Sequence, residues 1–146
     1  MILVREFRET DVEDWRRLWA GYNDFYETVV PDDVTEHTLR RLLDPKSALI
    51  GRIAEKDGRV AGFSISVLHD STWTLSQTCY LEDLFVDPTL RGGGVGRALI
   101  QDLIDLGRMR GWSQLYWLTR ANNERARRLY DSFVEADAFV RYRLTL

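Results

Sequence analysis

Residues 80–97 combine side chains and spacing that could do chemistry. Glu82 and Asp83 interrupt an apolar run that Asp87 and Pro88 end, and glycines follow at positions 92, 93, 94 and 96. Glycines allow positive φ and let backbone N–H groups converge on an anion, and the start of a helix adds unpaired N–H donors. The segment therefore predicts a strand, a phosphate-binding turn and a helix, with carboxylates close to the turn.

The spacing of the glycines excludes two common phosphate loops. A dinucleotide fingerprint that begins at Gly92 would need glycine in place of Arg97, and one that begins at Gly94 would need it at position 99. A P-loop needs Gly-Lys followed by Ser or Thr, which the turn lacks. The pattern that fits is RxxGxG, made by Arg91, Gly94 and Gly96. On the glycines alone, a turn that only links a strand to a helix is the alternative.

A second motif accompanies this turn, and the two together resemble the GNAT N-acetyltransferase family. Residues 122–130, NNERARRLY, place Asn123, Ala126 and Tyr130 at the offsets of a later helix of that family. The segments YLEDLFVDP and YWLT are closest to small bacterial and fungal members and similar to the diamine acetyltransferases. The resemblance covers residues 59–133. It implies an α/β fold with a mixed, mostly antiparallel central sheet flanked by helices on both faces.

Hydrophobic periodicity predicts the order of the elements. Apolar residues three and four apart predict a helix from Val12 to Tyr26, capped by Thr10 or Asp11, and a second over 34–43, capped by Asp33 or Thr35. The remaining helices are expected after the glycine turn and at 123–133. Strands are expected at residues 2–7, 48–55, 59–68, about 75–86, 112–119 and 137–145, with a hairpin turn at positions 57 and 58.

Composition limits the class of protein. The chain has 146 residues, of which 45% are hydrophobic and 29% charged, so we expect residues 1–146 to form one globular domain. A net charge of −3 disfavours nonspecific nucleic-acid binding. Cys79 is the single cysteine, and His37 and His69 are far apart, so neither a disulfide framework nor a metal site is predicted. With no signal peptide and no long apolar run, we expect a cytoplasmic protein without membrane contact.

The resemblance implies transfer of the acetyl group of acetyl-CoA to a primary amine of a small molecule or peptide, directly and in a ternary complex. Such an amine, with a pKa of about 10.4, is almost entirely protonated at pH 7, so a base must collect its proton. The thiolate leaving group, with a pKa of about 8.5, benefits from a proton donor. Backbone N–H groups can stabilise the charge on the thioester oxygen.

Glu82 is the candidate base, acting through a water molecule. A regular strand would place Tyr80, Glu82, Leu84 and Val86 on one face, and Leu81, Asp83 and Phe85 on the other. Only one of the two carboxylates would then face the ligand, and the family resemblance favours Glu82. Asp83 would be structural or would face the acceptor. The alternative is that both are held by hydrogen bonds near a sheet bulge.

Tyr130 is the candidate proton donor to the thiolate of coenzyme A, on the strength of the resemblance. Periodicity alone favours a core tyrosine. Asn123 is a good N-cap, and the family uses it near the pantetheine arm. The resemblance implies that acetyl-CoA is bound by Leu84, Phe85, Val86, Arg91, Gly92, Gly93, Gly94, Val95, Gly96, Arg97 and Asn123.

The C-terminal part departs from the family pattern. Family members commonly place a glycine shortly after the tyrosine, whereas FVEADA at 133–138 has none. The turn into the last strand should therefore differ, although FVRYRL at 139–144 still alternates. Because such strands often complete a dimer in relatives, we expect a homodimer.

The acceptor is not defined by the sequence. Acidic residues near Tyr22, Phe25 and Tyr26 would suit a cationic or amphipathic amine, or they form a solvated helix face; they are Asp24, Glu27, Asp32, Asp33 and Glu36. The alternative to an enzyme is a non-catalytic acyl-CoA-binding sensor or regulatory module. The presence of both Glu82 and Tyr130 favours the enzyme.

Overall fold

A mixed five-stranded sheet forms the centre of the molecule. The computed structural model describes residues 1–146, with β1 (Ile2–Glu6), β2 (Leu49–Lys56), β3 (Arg59–His69), β4 (Thr78–Val86) and β5 (Gln114–Trp117) side by side in that order. The first three pairs are antiparallel, and β4 and β5 are parallel. The predicted mixed, mostly antiparallel sheet is confirmed.

Helices cover both faces of this sheet: α1 (Val12–Phe25), α2 (Asp32–Leu43), α3 (Val95–Arg110) and α4 (Glu124–Asp131). One core lies under α1 and α2 and consists of Trp15, Leu18, Leu39, Leu42, Ile53, Phe63, Ile65 and Phe85. On the opposite face α3 buries Val95, Leu99, Ile100 and Leu103 against the strands. Each amphipathic helix therefore buries one stripe on the sheet.

The helix starts differ from the predicted caps. Asp11 precedes α1, as one of the two expected caps, but its carboxylate accepts hydrogen bonds from Arg5 instead of capping the helix. The second helix begins at Asp32 after Pro31, earlier than expected, so neither Asp33 nor Thr35 caps it. Pro31 occupies the N-cap position itself, and its side chain has no acceptor that could cap the helix.

The β2–β3 hairpin forms as predicted. Asp57 and Gly58 both have positive φ, of 51° and 80°, which is the geometry of the tight turns that suit twisted strands. Strand β4 begins at Thr78, later than the predicted position 75, and β5 is shorter than the predicted 112–119. The sheet narrows toward β5, where the structure has only four residues of strand.

The predicted final strand at 137–145 does not form. Residues after Asp131 have no helix or strand, and Phe139, Tyr142 and Leu144 are exposed. Alternation signals strand propensity, but a strand needs a partner edge. Here the C-terminal segment stands off β5 across a cavity of about 430 Å³, which is lined by residues of both. The predicted helix at 123–133 correspondingly ends earlier, at Asp131.

Candidate active site

Strands β4 and β5, at one edge of the sheet, separate partway along β4. They pair only from Thr78 to Leu81 on β4 and from Gln114 to Trp117 on β5. On its other side β4 stays paired with β3 as far as Val86. The edge of β4 after Leu81 therefore faces a gap, in which backbone groups have no strand partner and can bind an extended ligand.

A bulge lies at the start of this gap. Ile65 pairs with Asp83 and the next β3 residue, Ser66, pairs with Leu81, so Glu82 has no partner on β3. An extra residue in one strand re-aims the side chains that follow it, and bulges are common beside active sites. The carboxylate pair thus sits at the irregular point of β4.

The bulge overturns the simple alternation expected for this strand. Leu81 and Leu84 both pack towards α3, whereas Phe85 packs in the core under α1. Asp83 also faces α1, because it accepts a hydrogen bond from Tyr22. The prediction that Leu81 shares a face with Asp83 and Phe85 is wrong, because it assumed an uninterrupted period of two.

A pocket opens where the two strands part. Its walls come from α1, β4, the end of β5 and α4, and consist of Tyr22, Tyr26, Leu81, Glu82, Leu84, Trp117, Leu118 and Tyr130. Glu82 is the one charged side chain among them, and it is exposed. The structure therefore brings the two sequence-predicted catalytic residues, Glu82 and Tyr130, into one cavity.

The neighbouring carboxylate of Asp83 is held in an environment that favours its neutral form. Burial raises the pKa of Asp83 to about 6, against a lowering effect of the hydrogen bond from Tyr22 and a raising effect of the charge on Glu82. The same contact, together with burial as the larger cause, raises the pKa of Tyr22. A carboxyl group that titrates near neutrality can exchange protons during catalysis.

Tyr130 lies on the opposite wall of the pocket. Its ring meets that of Trp117 edge-on at 5.6 Å between centroids. Burial, with a smaller contribution from Tyr26, raises its pKa, so the hydroxyl keeps its proton at neutral pH. A protonated phenol in this position can act as a donor.

The glycine turn joins β4 to α3 with little side-chain cover. Gly92 and Gly94 have φ of 83° and 87°, a region that other residues rarely adopt, and Gly94 directly precedes the first helical residue, Val95. A Cβ on Gly96 would lie 3.3 Å from Leu129 of α4, so the glycine also allows close helix packing. Exposed N–H groups and the positive end of the α3 dipole suit phosphate oxygens.

Positive charge surrounds this turn. The Arg91 guanidinium lies over the rings of Phe25 and Phe85, with its carbon 5.3 and 5.4 Å from their centroids, and its Nε donates to the carbonyl of Val86. Burial and then the charge of Arg125 lower the pKa of Arg91. Such mutual repulsion of two cations favours an anion nearby.

The other residues predicted to bind the cofactor are placed as follows. Arg97 points along α4, donating to Ser132 Oγ at 3.0 Å and lying over the ring of Phe133. Asn123 caps α4, with Oδ1 accepting from the N–H of Ala126 at 3.3 Å. The side chain of Phe85 is buried away from the gap, so only its backbone lies at the open edge.

Sequence reasoning missed several residues that the fold brings to the site. Tyr22 and Tyr26 were linked to a possible amine acceptor only through the acidic residues near them, and Trp117 was predicted only as part of a strand. Lys56 is the last residue of β2. Its ammonium group lies against the glycine turn, because a Cβ on Gly93 would collide with its Nζ. No local signal could have found it, because Lys56 is distant in sequence.

Acetyl-CoA fits this arrangement. The unpaired edge of β4 suits its pantetheine arm, and the glycine turn with the surrounding cations suits its phosphates. When bound, that cosubstrate supplies an activated acetyl thioester. The fold and the site together define an acetyl-CoA-dependent N-acetyltransferase.

Comparison with known proteins agrees. The profile of the Acetyltransferase (GNAT) family matches residues 9–133. The chain is 34% identical over 131 residues to D-amino-acid N-acetyltransferase HPA3 of Saccharomyces cerevisiae, covering 88% of this chain and 81% of that one. It is 28% identical over 136 residues to thialysine N-epsilon-acetyltransferase of Mus musculus, covering 87% and 79%. The structure of a ribosomal-protein-alanine N-acetyltransferase from Brucella melitensis aligns with a TM-score of 0.82 and 25% identity, covering 100% and 99%.

The chain belongs to the GNAT family of acetyltransferases. The relatives are enzymes, which supports the N-acetyltransferase interpretation over a non-catalytic acyl-CoA sensor. None of its helices has the length and apolar character needed to cross a bilayer.

Proposed function

We propose that this acetyltransferase moves the acetyl group directly to the primary amine of a small-molecule or peptide acceptor, with both substrates bound together. The observation that carries the proposal is the pocket at the end of the β4–β5 gap. It holds Glu82 on one wall and Tyr130 on the other, with no residue between that could carry the acetyl group. Cys79 is buried in the sheet and does not line the pocket.

The backbone of β4 and the turn bind the cosubstrate in this proposal. Leu84, Phe85 and Val86 offer backbone groups to the pantetheine arm along the open edge, and Asn123 approaches it from α4. The N–H groups of residues 92–96 hold the pyrophosphate. Arg91, Arg97, Arg125 and Lys56 supply positive charge around it. The unpaired edge and the positive φ of Gly92 and Gly94 support this arrangement.

Glu82 is the proposed base, acting through a water that receives the amine proton. Its exposed position on the pocket wall supports this role. Asp83 is the second candidate because its pKa of about 6 lets it take up and release protons near neutral pH.

Tyr130 is the proposed acid that protonates the departing thiolate. Burial raises the pKa of its hydroxyl, so the group carries a proton near pH 7 and does not act as a base there. Its contact with Trp117 fixes the ring at the mouth of the gap. The thiolate would leave along the same gap that admits the pantetheine arm.

The experiment that tests the proposal has two steps. A thermal-shift titration with acetyl-CoA comes first, and release of free thiol is then followed with amino acids, polyamines, aminoglycosides and lysine peptides. We expect a rise in melting temperature and thiol release with at least one class of amine. Stabilisation without thiol release for any amine would contradict the proposal and favour a sensor.

We also propose that residues 1–146 act as a single domain in a cytoplasmic homodimer. The alternating, exposed segment at 139–144 and the short β5, which has no strand on its outer side, support exchange of the C-terminal segment between two copies. The single, unpaired Cys79 is in keeping with a reducing compartment.

Light scattering after gel filtration tests the dimer. Tyr142→Asp should shift the protein to the monomer mass, because a charge in the exchanged segment would be buried. Leu75→Asp is the matched control, since Leu75 is equally exposed but lies in the loop before β4. A monomeric parent protein, or a dimer that survives Tyr142→Asp, would contradict the proposal.

A further inference from the structure

One arginine stands at the rim of the active-site pocket with its hydrogen-bond donors free. Arg120 follows β5, and its guanidinium carbon lies 5.9 Å from the ring centroid of Tyr26, a residue of the pocket wall. The ion pairs of the protein engage other arginines, namely Arg5, Arg16, Arg17 and Arg52. Arg127 is also engaged, donating to the carbonyl of Ala121. Arg120 is therefore the cation at this rim that is available to a ligand.

The contact with Tyr26 prepares Arg120 to bind an anion. A guanidinium that rests on an aromatic face keeps the N–H groups of its edge pointing outward. Those parallel donors match the two oxygens of a carboxylate. A lysine or a free-standing arginine would have to be immobilised when the ligand binds, at an entropic cost.

Charge is divided across the pocket. The rings of Tyr26 and Tyr22 are 4.9 Å apart, and Tyr22 in turn donates a hydrogen bond to Asp83. Glu82 on the pocket wall, with Asp83 behind it against Tyr22, therefore lies at one end of this aromatic pair, and Arg120 lies at the other. This polarity complements a molecule with an amine and a carboxylate, and it opposes a polyamine, whose second cation would meet Arg120.

The acidic residues on the N-terminal helices do not restore a preference for cations. Glu36 forms an ion pair with Arg16, and Asp33 accepts a hydrogen bond from the N–H of Val34. None of the five acidic residues, Asp24, Glu27, Asp32, Asp33 and Glu36, lines the pocket.

We propose that the acceptor is a free amino acid and that Arg120 binds its carboxylate. This inference rests on the proposed function, because it names the substrate of that same pocket. Arg120 sets the specificity by orienting the amine towards Glu82 and Asp83. It acts on binding and orientation, not on the chemical step.

The test compares three probes that differ only at the carboxylate: phenylalanine, phenylalanine amide and phenethylamine, with both enantiomers of the first two. We expect kcat/KM for the acid to exceed that for the amide by about tenfold or more, the typical strength of a charge-assisted pair. In Arg120→Gln the ratio of kcat/KM for the acid to kcat/KM for the amide should fall to about one, mainly because KM for the acid rises. Arg120→Lys keeps the charge and should recover part of the ratio.

Arg110→Gln is the matched control, because Arg110 is exposed at the far end of α3 and should leave the ratio unchanged. Equal use of amine, amide and acid by the parent enzyme would overturn the inference while the proposed function stood. A preference for the acid that survives Arg120→Gln would overturn the role of Arg120. No thiol release with any amine would overturn the proposed function as well.

Discussion

The donor side and the acceptor side of the active site are built by different means. On the proposed donor side, the backbone groups belong to β4 and the glycine turn, which form one continuous segment. On the acceptor side, Tyr22, Glu82, Trp117 and Arg120 come from four separate stretches of chain. A site made of backbone needs few particular side chains, so a short motif reveals it. A site made of side chains exists only after folding.

The two sides also differ in charge and in their cost to stability. The donor side gathers Arg91, Arg125 and Lys56 around exposed N–H groups, all of which remain in contact with solvent. The acceptor side instead buries Asp83 beside Glu82, with one hydrogen bond from Tyr22. Active sites often hold groups in such unfavourable surroundings, and the cost is carried by the rest of the fold.

The largest effect should come from Tyr130→Phe, where donor and acceptor sides meet. Loss of a general acid lowers kcat by about 10²–10⁴-fold, while binding of acetyl-CoA should be preserved because the ring remains. Steady-state kinetics measure kcat, and a thermal-shift titration measures binding of acetyl-CoA. Tyr116→Phe is the control, since Tyr116 stacks on Tyr80 and bonds His69 outside the pocket. Unchanged kcat in Tyr130→Phe would remove the proposed acid.

Glu82→Gln should have the next largest effect. We expect kcat to fall by about hundredfold, with the greatest loss below neutral pH, where more of the amine is protonated and a base matters most. The pH profile of kcat/KM is the measurement. If the profile of Glu82→Gln matches that of the parent enzyme, and Asp83→Asn instead abolishes an acidic limb near pH 6, the base is Asp83.

Asp83→Asn should also stabilise the protein, which tests the cost of the acceptor side. The pKa of this carboxyl rises from 3.8 to about 6 on folding, so the native state binds more protons between these values and the parent loses stability as the pH rises through them. The variant avoids this loss. Its free energy of unfolding should exceed that of the parent by about 3 kcal/mol above pH 7, and by little at pH 4. Denaturant unfolding at both pH values measures the gain in stability. An equal gain at both would show that the raised pKa of Asp83 is not its cause.

The smallest effect is expected for a matched pair of glycines. Gly58 and Gly94 have nearly equal φ, of 80° and 87°, and a Cβ on either meets no close neighbour. Alanine should therefore cost about 1–2 kcal/mol of stability at both positions. Only Gly94→Ala should raise KM for acetyl-CoA, by several fold, because its methyl group enters the turn that holds the phosphates. Equal KM values for the two variants would argue against that turn as the phosphate site.

Most of the fold could be predicted from the sequence where local signals agree with tertiary packing. The β2–β3 hairpin follows from Asp57 and Gly58, and α3 follows from its apolar stripe after the glycines. The last strand failed because alternation in residues 139–144 records a propensity, whereas pairing requires an available edge. The regular alternation predicted along β4 was wrong for a related reason. The bulge, which the sequence offered only as an alternative, depends on the register with β3.

By itself, the sequence determined the donor. The turn with Arg91, Gly94 and Gly96, and the helix with Asn123 and Tyr130, are local patterns whose function depends on backbone conformation, and local residues set that conformation. Only the tertiary structure decided which residues form the acceptor pocket, that Asp83 turns towards Tyr22, and that Arg120 stands at the rim. Those relations join segments far apart in the chain, and burial and charge arise only when packing brings such segments together.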